Sequence, residues 1–365
     1  MSRLSEKNKA LSENGQGILC FAVMLLLNAV AFIVNTLGEF RVQMSVSTNY
    51  TQRMSFERKF FDSPINKIST IIITLLFVFL LFVFCKKSVE KSAENGTKNF
   101  VLLGCICPVF LLGFAFIRHS AGFVAVMLAA LIAVIMAESK KTLWLVPIVS
   151  AFGTFLNAGF AFTFLPAILL SLCGEREDKT FADSSKKTVK ASAAVCLILF
   201  AFLVVSALLG DGTYIGAVDL TQIADINIYG VSSYDGEIPL VVTNALSLFL
   251  ICIPALYLSV FFWLAAMKNA KENGRKTAKL FIFCIASNAV IIPAFFFTEP
   301  LGIWMLFDVF AQYILMLSLA SSREPSVLEA MKKFDEFFNQ KKRLILIVFA
   351  FLFEFLICAY IENKL

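Results

Sequence analysis

Histidine is almost missing from this chain: His119 is the only one in 365 residues. A classical zinc site built from several imidazoles is therefore excluded. Charge is scarce too. Asp, Glu, Lys and Arg make up 16% of the residues, where a soluble domain carries about a quarter. No Gly-rich loop ending in Lys-Ser or Lys-Thr is present, which removes a phosphate-loop nucleotide engine. No Gly-x-Ser-x-Gly elbow occurs, nor a regular Arg ladder of the voltage-sensor kind. The nine cysteines fall inside apolar runs or at their ends, so no disulfide framework is implied.

What fills the chain is apolar. Hydrophobic residues make up 59%, and 40 of all residues are Phe. An aqueous fold of this size cannot hide that much apolar surface. A membrane-crossing helix needs about 20 mainly apolar residues. Candidate spans lie at 17–36, 67–85, 100–117, 120–137, 142–157, 158–173, 191–209, 239–266, 280–298, 301–320 and 344–361. The expected fold is an all-α, polytopic membrane bundle of about eleven helices forming one domain, 1–365. The run 142–173 is interrupted by Gly153, Asn157, Gly159 and Pro166. It reads either as two short helices with a tight turn near Asn157 or as one long broken helix.

Orientation follows from Lys and Arg, which collect on the cytoplasmic side. Of the 32, 25 fall in 1–16, 86–99, 138–141, 174–190, 267–279 and 321–343. The remaining 7 fall in the alternate segments, so the expectation is N-terminus in, C-terminus out. Reading 142–173 as one span would put the Lys-rich 174–190 and 267–279 segments outside, which counts against it. The formal net charge of +6 has this origin and gives no reason to expect a nucleic-acid partner.

Two expected external loops carry chemistry. The segment 37–66 holds Arg41, and 210–238 holds Tyr229, Tyr234, Asp235 and Glu237 with no Lys or Arg. Arg118 and His119 stand just before the apolar run 120–137. An Arg at a helix start can grip a phosphate with two parallel hydrogen bonds, and the ordinary alternative is an Arg reaching for lipid headgroups. Asp308 lies inside the run 301–320 near Gln312 and Tyr313, and Glu299 stands just before Pro300. A carboxyl in such a place is either a hydrogen-bonded packing group or an intramembrane site. The segment 325–342 reads as a cytoplasmic amphipathic helix whose apolar side anchors it to the membrane surface.

The run Ile117-Arg118-His119-Ser120-Ala121 leads through an apolar stretch to Glu138-Ser139-Lys140-Lys141. Leu156-Asn157-Ala158-Gly159-Phe160 and Phe164-Leu165-Pro166 follow. This order resembles the EpsG-like family of Wzy-type exopolysaccharide polymerases. The likeness extends loosely to Tyr229 and Tyr234 and to Gly38-Glu39-Phe40-Arg41. Asn157 stands where that family usually has His, and His119 where it usually has Gln.

The resemblance implies a Wzy-like (GT-C type) architecture in a bacterial cytoplasmic membrane, acting on a polyprenyl-diphosphate-linked oligosaccharide at the outer face. It further implies lipid contact, neighbouring polysaccharide-assembly proteins, no cofactor and no metal. Arg118 and Arg41 would then hold the diphosphate, with His119, Asp235 or Glu237 as base and Asn157, Tyr229 and Tyr234 against the glycan. Two other readings stand beside it. One is a secondary transporter or flippase for a lipid or amphiphile, using Asp308 and Glu354; the other is a non-catalytic subunit of an envelope assembly.

Overall fold

The computed structural model describes residues 66–92, 97–101, 121–138, 140–156, 159–174, 179–209, 238–289 and 301–338. Among them the fold is all-α, with no strand. In chain order the helices are α1 (Asn66–Ser92), α2 (Ala121–Glu138), α3 (Leu145–Leu156), α4 (Gly159–Phe162) and α5 (Phe164–Leu172). They continue with α6 (Lys179–Leu209), α7 (Ile238–Glu272), α8 (Ala278–Ser287), α9 (Leu301–Ser321) and α10 (Pro325–Phe338).

Helix α9 is the axis of the bundle. Every side chain from Phe307 to Ala320 is buried, which demands neighbours on all sides. They are α7, α5, α1, α2 and α10. Aromatic rings lock the contacts: Phe77 of α1 meets Phe310 at 5.8 Å, and Phe164 of α5 meets Phe307 at 5.3 Å.

The helix ends α1, α2, α5, α7 and α9 share are tied into one clasp. Lys91 of α1 donates its ammonium to the Ala137 and Glu138 carbonyls that end α2, and Lys87 pairs with Glu138. Arg323, just past α9, donates Nε to the Lys91 carbonyl at 2.7 Å. Ser171 of α5 lies 3.3 Å from the Met136 sulfur. Gly174 is pressed against Leu319, 2.5 Å from where a Cβ would stand.

Both α7 and α9 finish in the same hydrogen-bonded loop. After α9, Glu324 N–H reaches the Leu319 carbonyl and Arg323 N–H the Ala320 carbonyl. After α7, Arg275 N–H reaches Ala270 and Gly274 N–H reaches Lys271. The turning residue of this motif takes a positive φ, 63° at Gly274 and 58° at Arg323. Glycine enters that region freely, whereas an Arg pays a steric cost there and persists because its side chain and neighbours hold it.

Helices α3 to α5 form a hairpin. The chain leaves the clasp end at Thr142, whose hydroxyl donates to the Ile135 carbonyl of α2, and returns to it at Ser171. The turn at 157–158 lies outside the described residues. Of the two readings open for 142–173, the structure has the pair of short helices. At its inner end, the Phe160 ring would lie 2.8 Å from a Cβ on Gly153, so only glycine admits this packing. Helix α6 runs beside α3 in the same direction. The stripes Val146, Ser150, Thr154 and Thr188, Ser192, Cys196 are all buried and step in register, with Thr154 Oγ1 3.5 Å from Cys196 Sγ.

The amphipathic stretch at 325–342 is a helix over Pro325–Phe338 among the described residues. Val327, Ala330 and Met331 are buried, and the Phe334 ring packs on Phe100 and Phe262. Among the described residues, no helix is long and apolar enough to cross a membrane.

Candidate functional site

Three helices are pinned together in the interior by one amide. Gln312 of α9 accepts from the Trp263 indole N–H of α7 at 2.8 Å and lies 3.3 Å from Ser259 Oγ. Its own amide donates to Ser287 Oγ of α8 at 2.8 Å. Ser287 passes the chain on to the Cys284 carbonyl at 2.7 Å, and Asn288 closes it with Ser259 at 3.1 Å. Trp263 is fully buried and Gln312 is 2% exposed, so each group needs these partners.

Asp308 stands one helical turn before Gln312 and is 2% exposed. Gln312 is the hydrogen-bonding side chain that acts on it. Its other oxygen, Oδ2, meets no donor. Thirteen residues separate Asp308 from the clasp end of α9, about 20 Å at 1.5 Å per residue. The twelve residues of α3 extend about 18 Å. Phe164 of the hairpin touches both Phe307 and Phe310, on a different face of α9 from Asp308 and Gln312.

The second buried carboxyl belongs to the clasp. Glu324 is fully buried, with Oε1 accepting from Thr277 at 3.1 Å and Oε2 from the Val327 N–H at 2.7 Å. It therefore caps α10, with Pro325 at the first helical position where a missing N–H costs nothing. Arg275, bonded to Ser326 at 2.9 Å, adds its charge nearby. Burial pushes the Glu324 carboxyl above the usual carboxylate range. The Val327, Thr277 and Ser326 hydrogen bonds and the Arg275 charge pull it back in part.

Asp308 alone of the sequence-derived candidates falls on described residues. Arg41, Arg118, His119, Asn157, Tyr229, Tyr234, Asp235, Glu237, Glu299 and Glu354 lie outside them. Of the two neighbours expected for Asp308, Gln312 is there. Tyr313 is not: its hydroxyl reaches the Val101 carbonyl at 3.4 Å and Cys85 Sγ at 3.7 Å on another side of α9. Ser259, Trp263, Ser287 and Asn288 carry no sequence signal of a shared site, because they come from separate runs.

Helices α1, α2, α7 and α9 touch the clasp with their C-terminal ends, and α6 leads away from it. The ends at 66, 121, 209, 238 and 301 therefore all point away from the clasp. The segments carrying Arg41, Arg118 with His119, Tyr229 to Glu237, and Glu299 are each joined to one of those ends.

No protein-family model, no curated protein and no solved structure matches the chain.

Proposed function

We propose that this chain is a multi-pass protein of a bacterial cell membrane that transfers glycan from a polyprenyl diphosphate carrier at the outer face. The observation that carries the membrane half is an inverted surface. Ile72, Phe79, Phe152, Leu197, Phe261 and Phe283 are each more than half exposed, while Gln312, Ser259 and Asp308 are buried. In water such a surface would drive association; in lipid it is the natural outer face. The seam between α3 and α6, built of Ser, Thr and Cys, is the small-residue packing that lets helices approach where lipid competes for every apolar contact. The clasp gathers the Lys-rich segments and belongs to the cytoplasmic side. The hairpin limbs, about 18 and 21 Å long, enter from that side and stop short of a hydrocarbon core of about 30 Å.

The transfer half rests on the segments that the sequence joins to the far ends of the helices. Arg118 and His119 precede α2, and the Arg41 and Tyr229–Glu237 segments precede α1 and α7. Cations there stabilise the diphosphate as it leaves. A carboxylate or imidazole draws the proton from the attacking sugar hydroxyl, and the anomeric carbon changes its bond from phosphate oxygen to that hydroxyl oxygen. The test is surface glycan size in cells with the native chain, an Arg118→Ala chain or a deletion, at matched membrane levels. Loss of long chains with single repeat units still made supports the proposal. Unchanged glycan in the deletion strain overturns it.

A second reading, a secondary transporter or flippase for a lipid-linked or amphiphilic substrate, is favoured by one observation. A buried carboxyl with an unpartnered oxygen stands inside α9, the kind of group that marks ion and substrate pathways in membrane helices. Intact long chains in the deletion strain, with lipid-linked units failing to reach the outer face, would select this reading.

A further inference from the structure

We propose that Asp308 is a proton-carrying site at mid-depth in the bundle, one helical turn from Gln312 on α9. The proposal rests on the membrane half of the functional reading and is independent of whether the chain transfers glycan or transports it.

Among the described residues, the buried side-chain oxygens without a partner are the hydroxyls of Ser88, Thr97, Ser150, Ser185, Ser192 and Ser318 and the Asp308 Oδ2, which alone belongs to an ionisable group. Gln312 spends its carbonyl on Trp263 and Ser259 and one amide hydrogen on Ser287. That leaves Gln312 to serve one side of the Asp308 carboxyl, and Oδ2 with nothing. A carboxylate in that place lacks a counter-charge. The positive groups of the neighbouring helices are all remote: Lys87 and Lys91 of α1, and Arg275 after α7, belong to the clasp. On α2 the titratable group is Glu138, also in the clasp, and α5 carries none. Toward the interior α1 offers Cys85, which is shared with Tyr313, and α8 offers the buried thiol of Cys284. Tyr257 of α7 is exposed, and Lys332 of α10 is exposed and stands beside Glu329.

Among the described residues nothing supplies that counter-charge, which leaves a cation from outside them as the occupant. Metal ions with oxygen ligands ask for several oxygens at once. Among the described residues no group of three His, Cys, Asp or Glu side chains comes together, and Asp308 supplies one free oxygen. A proton needs one. Once bound, it turns Oδ2 into a hydroxyl and removes the lone charge from the interior; its departure restores a buried charge with no donor on that oxygen.

Dicyclohexylcarbodiimide tests this in native membrane vesicles with the full-length chain. An apolar carbodiimide reacts with the acid form: the carboxyl proton moves to a carbodiimide nitrogen while the carboxyl oxygen bonds to the central carbon. The resulting O-acylisourea rearranges to a stable N-acylurea, located by peptide mass. The expected result is label on the Asp308 peptide, lost as pH is raised, unchanged by sodium against potassium chloride, absent in Asp308→Asn and retained in Asp308→Glu. Because the label is located in the native chain, the result does not depend on either variant being well made. Protection by sodium at constant pH would overturn the proposal in favour of an alkali-ion site. Label that appears only after the protein is unfolded would overturn it in favour of a sealed packing residue. Carbonate washing of the same vesicles checks the membrane reading separately, since release of the chain would sink that reading whatever the label shows.

Discussion

Among the described residues, Glu324 and Asp308 have opposite surroundings although both carboxyl groups are buried. Glu324 has a donor for each oxygen and an Arg beside it. Asp308 has one oxygen with no donor and no positive group nearby. The first is what a structural carboxyl looks like, since a buried charge is held only when it is paired and hydrogen-bonded. The second is a group whose partner is missing from the fold, and such groups concentrate where a protein exchanges something. Depth within the protein does not separate these two carboxyls; the state of their hydrogen bonds does.

Glu324→Ala breaks the comparison at its structural end. It strands the Thr277 hydroxyl and the Val327 N–H and removes the α10 cap, a combined loss of about 3 kcal/mol. Thermal unfolding of the purified chain in detergent should show it as the largest drop of this series. Gln312→Leu comes next. The Trp263 indole N–H and the Ser287 hydroxyl lose their partner, at a cost of about 2 kcal/mol, read in the same assay together with a change in Trp fluorescence.

A pH series sharpens the contrast. Burial raises the Glu324 carboxyl above its unfolded value, so its contribution to stability is present below about pH 4.3 and is lost as pH rises through the folded value. Wild type should lose stability over that window, and Glu324→Gln should flatten the loss in unfolding midpoints measured across pH. Asp308→Asn is expected to have the smallest effect on folding, within about 1 kcal/mol, because it removes no completed hydrogen bond. Function should fall nonetheless. A drop in stability as large as that of Glu324→Ala would instead mark Asp308 as a structural residue.

Much of the fold was legible in the apolar runs, because a helix interior tolerates neither Pro nor a string of charges. The runs at 120–137 and 301–320 correspond to helices at 121–138 and 301–321. Helices end at Leu156 and begin again at Gly159, on either side of the interruption read near Asn157, and the Phe160 ring packs against Gly153. The site was half legible. A carboxyl inside an apolar run announces itself, and Asp308 did so. Glu324 did not, since it lies in a polar segment that reads as exposed; its burial comes from the turn at 273–277, nearly fifty residues earlier, folding over it. The amphipathic pattern of α10 was likewise readable, but what covers it was not. Phe100 and Phe262 arrive from distant parts of the chain, and no periodicity within 325–338 encodes their arrival.

The account turns on a bundle with one end inside the cell and the other outside it. The most direct test is labelling of single cysteines by a membrane-impermeant maleimide in intact and permeabilised cells. The sites are Lys332→Cys at the clasp end and Tyr229→Cys in the segment that leads to the far end of α7, in a chain whose own cysteines are replaced by serine. The account predicts that position 229 labels in intact cells and position 332 only after permeabilisation. Labelling of position 332 in intact cells, or of neither position until permeabilisation, would contradict it.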